Sequence, residues 1–146
     1  MTWEILPLDI SLCKDASVLE KCCLSTAWSE KQLEGILCDG NYKYVVAVGE
    51  GMVLGVGGAI CSSPDSAEIF TVAVDLLYRG NGIGSGIVSE LIEFCVSKNA
   101  ESVFLEVEEG NYPAIALYSK HGFVNVGVRK GFYHGKNAII MCLSLK

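Results

Sequence analysis

The spacing of hydrophobic and polar positions sets out the elements before any motif is considered. Residues 2–6 read as a short strand that stops at Pro7. Residues 11–24 put Leu12, Ala16, Leu19 and Cys23 on one stripe at helical spacing. Ser29 and Gln32 form a capping-box pair, so a short helix follows with Leu33, Ile36 and Leu37 inward, stopping near Gly40. The runs 43–49 and 52–61 flank Gly49-Glu50-Gly51 and predict a hairpin. Ile69–Asp75 is almost wholly apolar, which predicts a central strand buried on both faces.

Residues 84–98 give the clearest helix in the chain. Ile87, Val88, Leu91, Ile92, Cys95 and Val96 form its apolar face. Residues 102–108 predict a strand. A helix then runs from an Asn111 cap, with Pro113 in its first turn, to Gly122. Residues 123–129 and 137–145 close the chain as strands. The order β, two helices, three strands, helix, strand, helix, two strands predicts an α/β domain spanning residues 1–146, a mixed sheet with helices on its faces.

Composition narrows the class. The chain has 146 residues, 51% of them hydrophobic and 19% charged, which excludes disorder and is long enough for a core without staples. The formal charge is −6. That argues against binding nucleic acid through phosphate contacts and suits a cationic partner such as an amine or basic peptide. The acidic excess lies wholly in residues 1–73, while residues 129–146 hold Arg129, Lys130, Lys136 and Lys146 and no acid. This gradient reads as solvated surface rather than a basic patch for an anionic cofactor. Seven cysteines form no Cys-x-x-Cys pair and have no histidine at zinc spacing. They predict small buried hydrophobes in a reducing compartment, no metal, and, without a leader or membrane span, a cytoplasmic location.

Glycine is abundant, with 16 residues. Four of these fall at 80, 82, 84 and 86, between the apolar strand and the amphipathic helix. The other twelve read as turn and strand-end residues. A glycine-rich strand-to-helix turn is an anion site: backbone N–H groups point outward, the helix dipole favours negative charge, and no Cβ blocks the approach. The Walker register fails for want of a lysine, and the dinucleotide register fails because Ser85 or Ile87 stands where a glycine is needed. Arg79-x-x-Gly82-x-Gly84 resembles the pyrophosphate loop of the GNAT N-acetyltransferases. Asn111-Tyr112-Pro113-Ala114-Ile115-Ala116-Leu117-Tyr118 followed by Gly122-Phe123 resembles another segment of that family, and the element order agrees over the whole chain. Within the family the chain is most similar to the RimI-type ribosomal-protein-alanine N-acetyltransferases, through Ala27–Lys31, Leu105-Glu106-Val107, Ala114–Tyr118, Arg129…Tyr133 and Ala138–Met141.

The resemblance implies a GNAT fold with a mostly antiparallel sheet. It implies acetyl transfer from acetyl-CoA to the N-terminal amine of a ribosomal protein beginning with alanine. It places Val72, Ala73 and Val74 beside the acetyl group and pantetheine, and Gly80, Asn81, Gly82, Ile83, Gly84 and Ser85 at the pyrophosphate. Arg79 either adds charge there or is a surface arginine. Asn111 caps its helix and, by resemblance, also meets the pantetheine arm.

Acetyl transfer needs a base for the amine and a proton for the departing thiolate. Alternation puts Val103, Leu105 and Val107 on one face of 102–108, and Phe104, Glu106 and Glu108 on the other. It leaves open whether Glu106 is a desolvated carboxylate among apolar neighbours or a solvated one. The resemblance makes Glu106 the base and Tyr118 the acid, where helical spacing alone would make Tyr118 a core residue. Glu108 and Glu109 read as a solvated strand end that could attract a basic peptide. Cys22 and Cys23 read as core, His121 as a helix-dipole residue, and His134 as hairpin-loop surface. RimI-type sequences carry a tyrosine where Phe132 stands and an acid where Asn137 stands, and the 133–137 loop is short. These departures bear on peptide choice. A small-molecule amine acetyltransferase and a catalytically silent CoA-binding domain are the competing functions.

Overall fold

In the computed structural model, which describes residues 2–133 and 135–146, the order of elements follows the sequence pattern closely. β1 (Glu4–Pro7) leads through a 3₁₀ turn into α1 (Cys13–Cys23) and α2 (Glu30–Ile36). Ser29 and Gln32 make both bonds of the predicted capping box, at 3.1 and 2.8 Å. β2 (Tyr42–Gly49), β3 (Met52–Ile60) and β4 (Ser66–Val74) form a meander. α3 (Ile83–Ser97), β5 (Ser102–Glu108), α4 (Tyr112–Lys120), β6 (Val124–Tyr133) and β7 (Lys136–Ser144) complete the chain. The seven strands make one sheet in the order β1-β2-β3-β4-β5-β7-β6. Every registered pair is antiparallel except β4 with β5.

Two clusters of buried side chains lie on opposite faces of the sheet. Ile83, Ile87, Leu91 and Cys95 of α3 pack with Val45, Leu54 and Ile69. Cys13, Ala16 and Leu19 of α1 pack with Leu33, Val46 and Val56. The glycines of β3 set the depth of that packing. A Cβ on Gly57 would lie 2.2 Å from the Ile87 side chain, and one on Gly55 2.8 Å from Ile83. These mid-strand glycines let α3 seat against the sheet, so the glycines outside the loop are not confined to turns and strand ends. Val96, assigned to the apolar face of α3, is in fact 54% exposed, because that helix is broader than the surface it covers.

β4 departs from expectation in a way that matters. It is central, and the buried residues serve both faces: Ala67 and Ile69 belong to the cluster under α3 and Ala73 to the one under α1, while Phe70, Val72 and Val74 are only half-buried. Gly58 pairs with Thr71 and Ala59 with Ile69, so Phe70 is the extra residue of a β-bulge. Beyond it the sheet opens. β4 and β5 pair only from Ser66↔Ser102 to Glu68↔Phe104, and no further register joins them. An apolar strand therefore reads as fully buried in sequence while one flank faces a cleft.

Candidate active site

α3 differs from α2 and α4 at its start. Ser29 caps α2, and Asn111 caps α4 by accepting from the Ala114 N–H at 3.3 Å. The α3 cap is Gly82, left-handed at φ +80, with no side chain bonded to the helix end. The first N–H groups of α3 are thus left for an anion. They face a cleft of about 450 Å³ lined by Val72, Ala73, Val74, Arg79, Gly80, Gly82, Ile83, Gly84, Ser85, Asn111 and Tyr118. Ten of the eleven residues expected at a cofactor are on it. Asn81 is not: its side chain donates to the Tyr78 carbonyl at 2.9 Å and its own carbonyl accepts from the Trp3 indole at 3.2 Å. Arg79 turns back too, donating to the Val74 carbonyl at 3.1 Å, while remaining exposed on the rim.

A second, smaller pocket of about 180 Å³ opens where β4 and β5 part. Ile69–Val72 wall one side, Leu105–Glu108 the other, and Ser25 and Thr26 close one end. Tyr118, Asn111, Val72, Ala114, Cys23 and Leu24 line both cavities, so the two meet there. Tyr118 is buried, edge-on to Phe123 with ring centroids 6.0 Å apart, as a core tyrosine would be. It nevertheless borders both cavities.

Glu106 lines only the smaller pocket. It is half-buried, and Arg129 of β6 approaches its Oε1 at 3.2 Å. It is therefore neither stranded in an apolar wall nor merely solvated; an ion pair across β7 holds it at the pocket. Glu68, on the neighbouring strand, has its carboxyl pushed above the ordinary carboxylate range by desolvation and then by the charge of Glu106. Glu108 pairs with Lys136 at 3.4 Å, and Lys146 with Glu101 at 3.3 Å. Three of the four basic residues near the C-terminus thus meet acids and are no phosphate patch.

Other expectations shift. Cys22 is exposed rather than core, and Cys38 is exposed as well; the described cysteines are all free thiols. Cys23 is half-buried against the Val74 carbonyl and borders both cavities; burial pushes its thiol up, partly offset by Arg79. His121 follows the last turn of α4 as expected, but its Nε2 lies 2.9 Å from Ser85 Oγ on α3. Lys120 also reaches the larger cleft. Neither residue at this end of α4 is marked for the site by sequence, since a basic side chain at a helix C-terminus looks like a dipole partner. Asn137 Oδ1 accepts from the Gly131 N–H at 3.1 Å, tying β7 to an irregular part of β6. His134 lies outside the described residues. Among the described residues no cluster of three or more His, Cys, Asp or Glu could hold a metal, and no helix is long and apolar enough to cross a membrane.

Comparison with known proteins agrees with this geometry. Residues 13–123 match the model of the acetyltransferase (GNAT) family. A Bacillus subtilis protein provisionally named a ribosomal protein bS18-alanine N-acetyltransferase is 31% identical over 130 residues, 87% of this chain and 85% of its own. The N-alpha-acetyltransferase RimI of Mycobacterium tuberculosis is 32% identical over 114 residues, 76% of this chain and 70% of its own. The crystal structure of the Escherichia coli ribosomal-protein-S18-alanine N-acetyltransferase superposes with a TM-score of 0.86 at 26% identity, covering 99% of this chain and 95% of that one.

Proposed function

The chain belongs to the GNAT acetyltransferase family and is an acetyl-CoA-dependent N-acetyltransferase; on that premise we propose that its acceptor is the N-terminal α-amine of a ribosomal protein beginning with alanine. The reading extends to a cytoplasmic site of action, where such a protein is made. The observation that carries the mechanism is the meeting of two cavities at Tyr118, with Glu106 on the smaller one alone.

In this reading acetyl-CoA occupies the larger cleft. Its pyrophosphate lies on the uncapped start of α3, at Gly80, Gly82, Ile83, Gly84 and Ser85, and its pantetheine runs beside Val72–Val74 and Asn111. Asn81 holds the loop's shape through Tyr78 and Trp3 rather than touching the cofactor. The acceptor enters the smaller pocket. Glu106 takes a proton from the ammonium, the freed nitrogen attacks the thioester carbon, and the new C–N bond forms as the C–S bond breaks. Tyr118 gives its hydroxyl proton to the departing thiolate, whose conjugate acid resembles a cysteine thiol with a pKa of about 8.5. The nitrogen's second proton, acidic once the C–N bond has formed, leaves to solvent, from which the tyrosinate is reprotonated. Both substrates are bound together, and no acetyl-enzyme is needed.

Mass spectrometry of acetyl-CoA reactions with three acceptors tests the reading. They are an alanine-starting ribosomal N-terminal peptide, the same peptide with its α-amine blocked and a lysine free, and spermidine. Acetylation of the first alone is expected. Acetylation of spermidine alone would make the protein a small-molecule amine acetyltransferase, and no product with any of them would favour a silent CoA-binding domain.

A further inference from the structure

The contact between Ser85 and His121 has no part in the acetyl-transfer chemistry, yet it joins two helix ends at the cofactor cleft. Ser85 lies in the first turn of α3 and His121 just past the last turn of α4. Their side chains meet at 2.9 Å. The approach of the helices is fixed independently, because Leu117 of α4 sits 3.2 Å from where a Cβ on Gly84 would stand. Ser85 also faces the cleft, as does Lys120 beside His121. Desolvation, and then the charge of Lys120, holds the imidazole below its usual pKa, which favours the neutral ring.

A serine hydroxyl has one proton to give. A phosphate oxygen only accepts. If Ser85 gives its proton to the ring, nothing remains for the phosphate; if the ring donates to Ser85 Oγ, the hydroxyl proton is turned outward. A neutral imidazole does this in the tautomer that carries hydrogen on Nε2. We propose that His121 is a positioning residue for the cosubstrate, donating from Nε2 to Ser85 Oγ and thereby aiming the Ser85 hydroxyl at a pyrophosphate oxygen. This rests on the placement of the pyrophosphate at the start of α3.

The test is steady-state kinetics with two acetyl donors, acetyl-CoA and S-acetylpantetheine, which lacks the pyrophosphate. His121→Leu should raise the KM for acetyl-CoA about three- to tenfold at unchanged kcat, as loss of one ordered hydrogen bond would. His121→Gln, whose amide N–H reaches a similar position, should restore it. Neither variant should alter kinetics with S-acetylpantetheine. The Ser85→Ala/His121→Leu double variant should be no worse than either single one, since both break one chain. Equal losses with leucine and glutamine, the same loss with S-acetylpantetheine, or additive effects would each overturn the proposal. Should the leucine variant melt, Ser85→Ala and His121→Gln carry the same contrast: the first should raise the KM and the second should not. Gly82→Val separates the two levels of the argument. Unchanged acetyl-CoA affinity in that variant would remove the pyrophosphate from the loop and the role of His121 with it. Weakened affinity in that variant beside a silent His121→Leu would overturn the role of His121 alone.

Discussion

Two carboxylates sit in different settings, one in the core and one beside the smaller pocket, and they show that burial and chemistry need not coincide. Glu20, on the inner face of α1, is fully buried. It accepts from the Trp28 N–H at 3.0 Å and, closely, from the Tyr44 hydroxyl. Desolvation pushes its carboxyl up, those bonds only partly offsetting it. Glu106, on the open flank of β5, is half-buried and ion-paired with Arg129. By burial alone Glu20 would be the base. Yet it borders neither cavity, and its partners are groups of the fold: Trp28 begins the approach to α2, and Tyr44 is on β2. Ser17 pins the same loop by donating to the Trp28 carbonyl at 2.9 Å. The buried corner ties the loop at Trp28 to α1 and β2; the open corner borders the smaller pocket, where the proposed function places the acceptor.

The largest expected effect falls on the open corner. Glu106→Gln should lower kcat by roughly 10²–10⁴-fold, with acetyl-CoA binding and melting temperature close to those of the parent. Turnover that stays unchanged across the pH range would remove Glu106 from the mechanism. Glu20→Ala should do the reverse. It strands a buried hydroxyl and a part-buried N–H and leaves a small void, costing about 2–4 kcal/mol of stability in denaturant melts. Turnover per folded molecule should hold. A Glu20 variant of normal stability that has lost turnover would erase the distinction between the corners.

A smaller effect is expected from the ion pair itself. Arg129 is more than half exposed, so its bond to Glu106 contributes no more than about 1 kcal/mol to stability. Arg129→Gln should leave the melting curve nearly unchanged and alter acceptor kinetics by less than about tenfold. A full loss of turnover would mean that Arg129 does more than hold Glu106 in place.

The two corners also differ in how they read from sequence. The glycine-rich turn into α3 was legible because its pattern is local: an arginine, spaced glycines and a helix start within a few residues, while the left-handed Gly82 is a detail the structure adds. Glu106 was legible as a candidate from alternation, but its partner was not, since Arg129 arrives from β6 across β7. Glu20 was passed over although Ala16 and Cys23 stand four before and three after it, on the buried stripe of α1. Its acceptance there depends on Tyr44 and Trp28, and no helical period reports on those. The bulge at Phe70, beside the smaller pocket where β4 and β5 no longer pair, is likewise set by pairing with β3. What the sequence missed is long-range: which strand ends a polar group meets, and where two strands stop pairing.

The smallest effect is a slope with pH. Because the folded protein holds the Glu20 carboxyl above its ordinary value, it binds that proton more tightly than the unfolded chain does. The stability this contributes is fully present below the unfolded pKa, near 4.5, and is lost as the pH rises through the raised folded value. Glu20→Gln has no proton to lose there. Its stability relative to the parent should therefore improve as the pH climbs through that window, even though the amide makes a poorer acceptor for Tyr44 and Trp28. His121 works in the opposite sense, its folded pKa being lowered: its contribution is present above about 6.5 and is lost as the pH falls through the folded value. Denaturant melts of the parent, Glu20→Gln and His121→Gln at several pH values separate the two. Parallel stability curves for parent and Glu20→Gln would mean that Glu20 ionises in the fold as it does in water, and the buried corner would then need a cation to explain it.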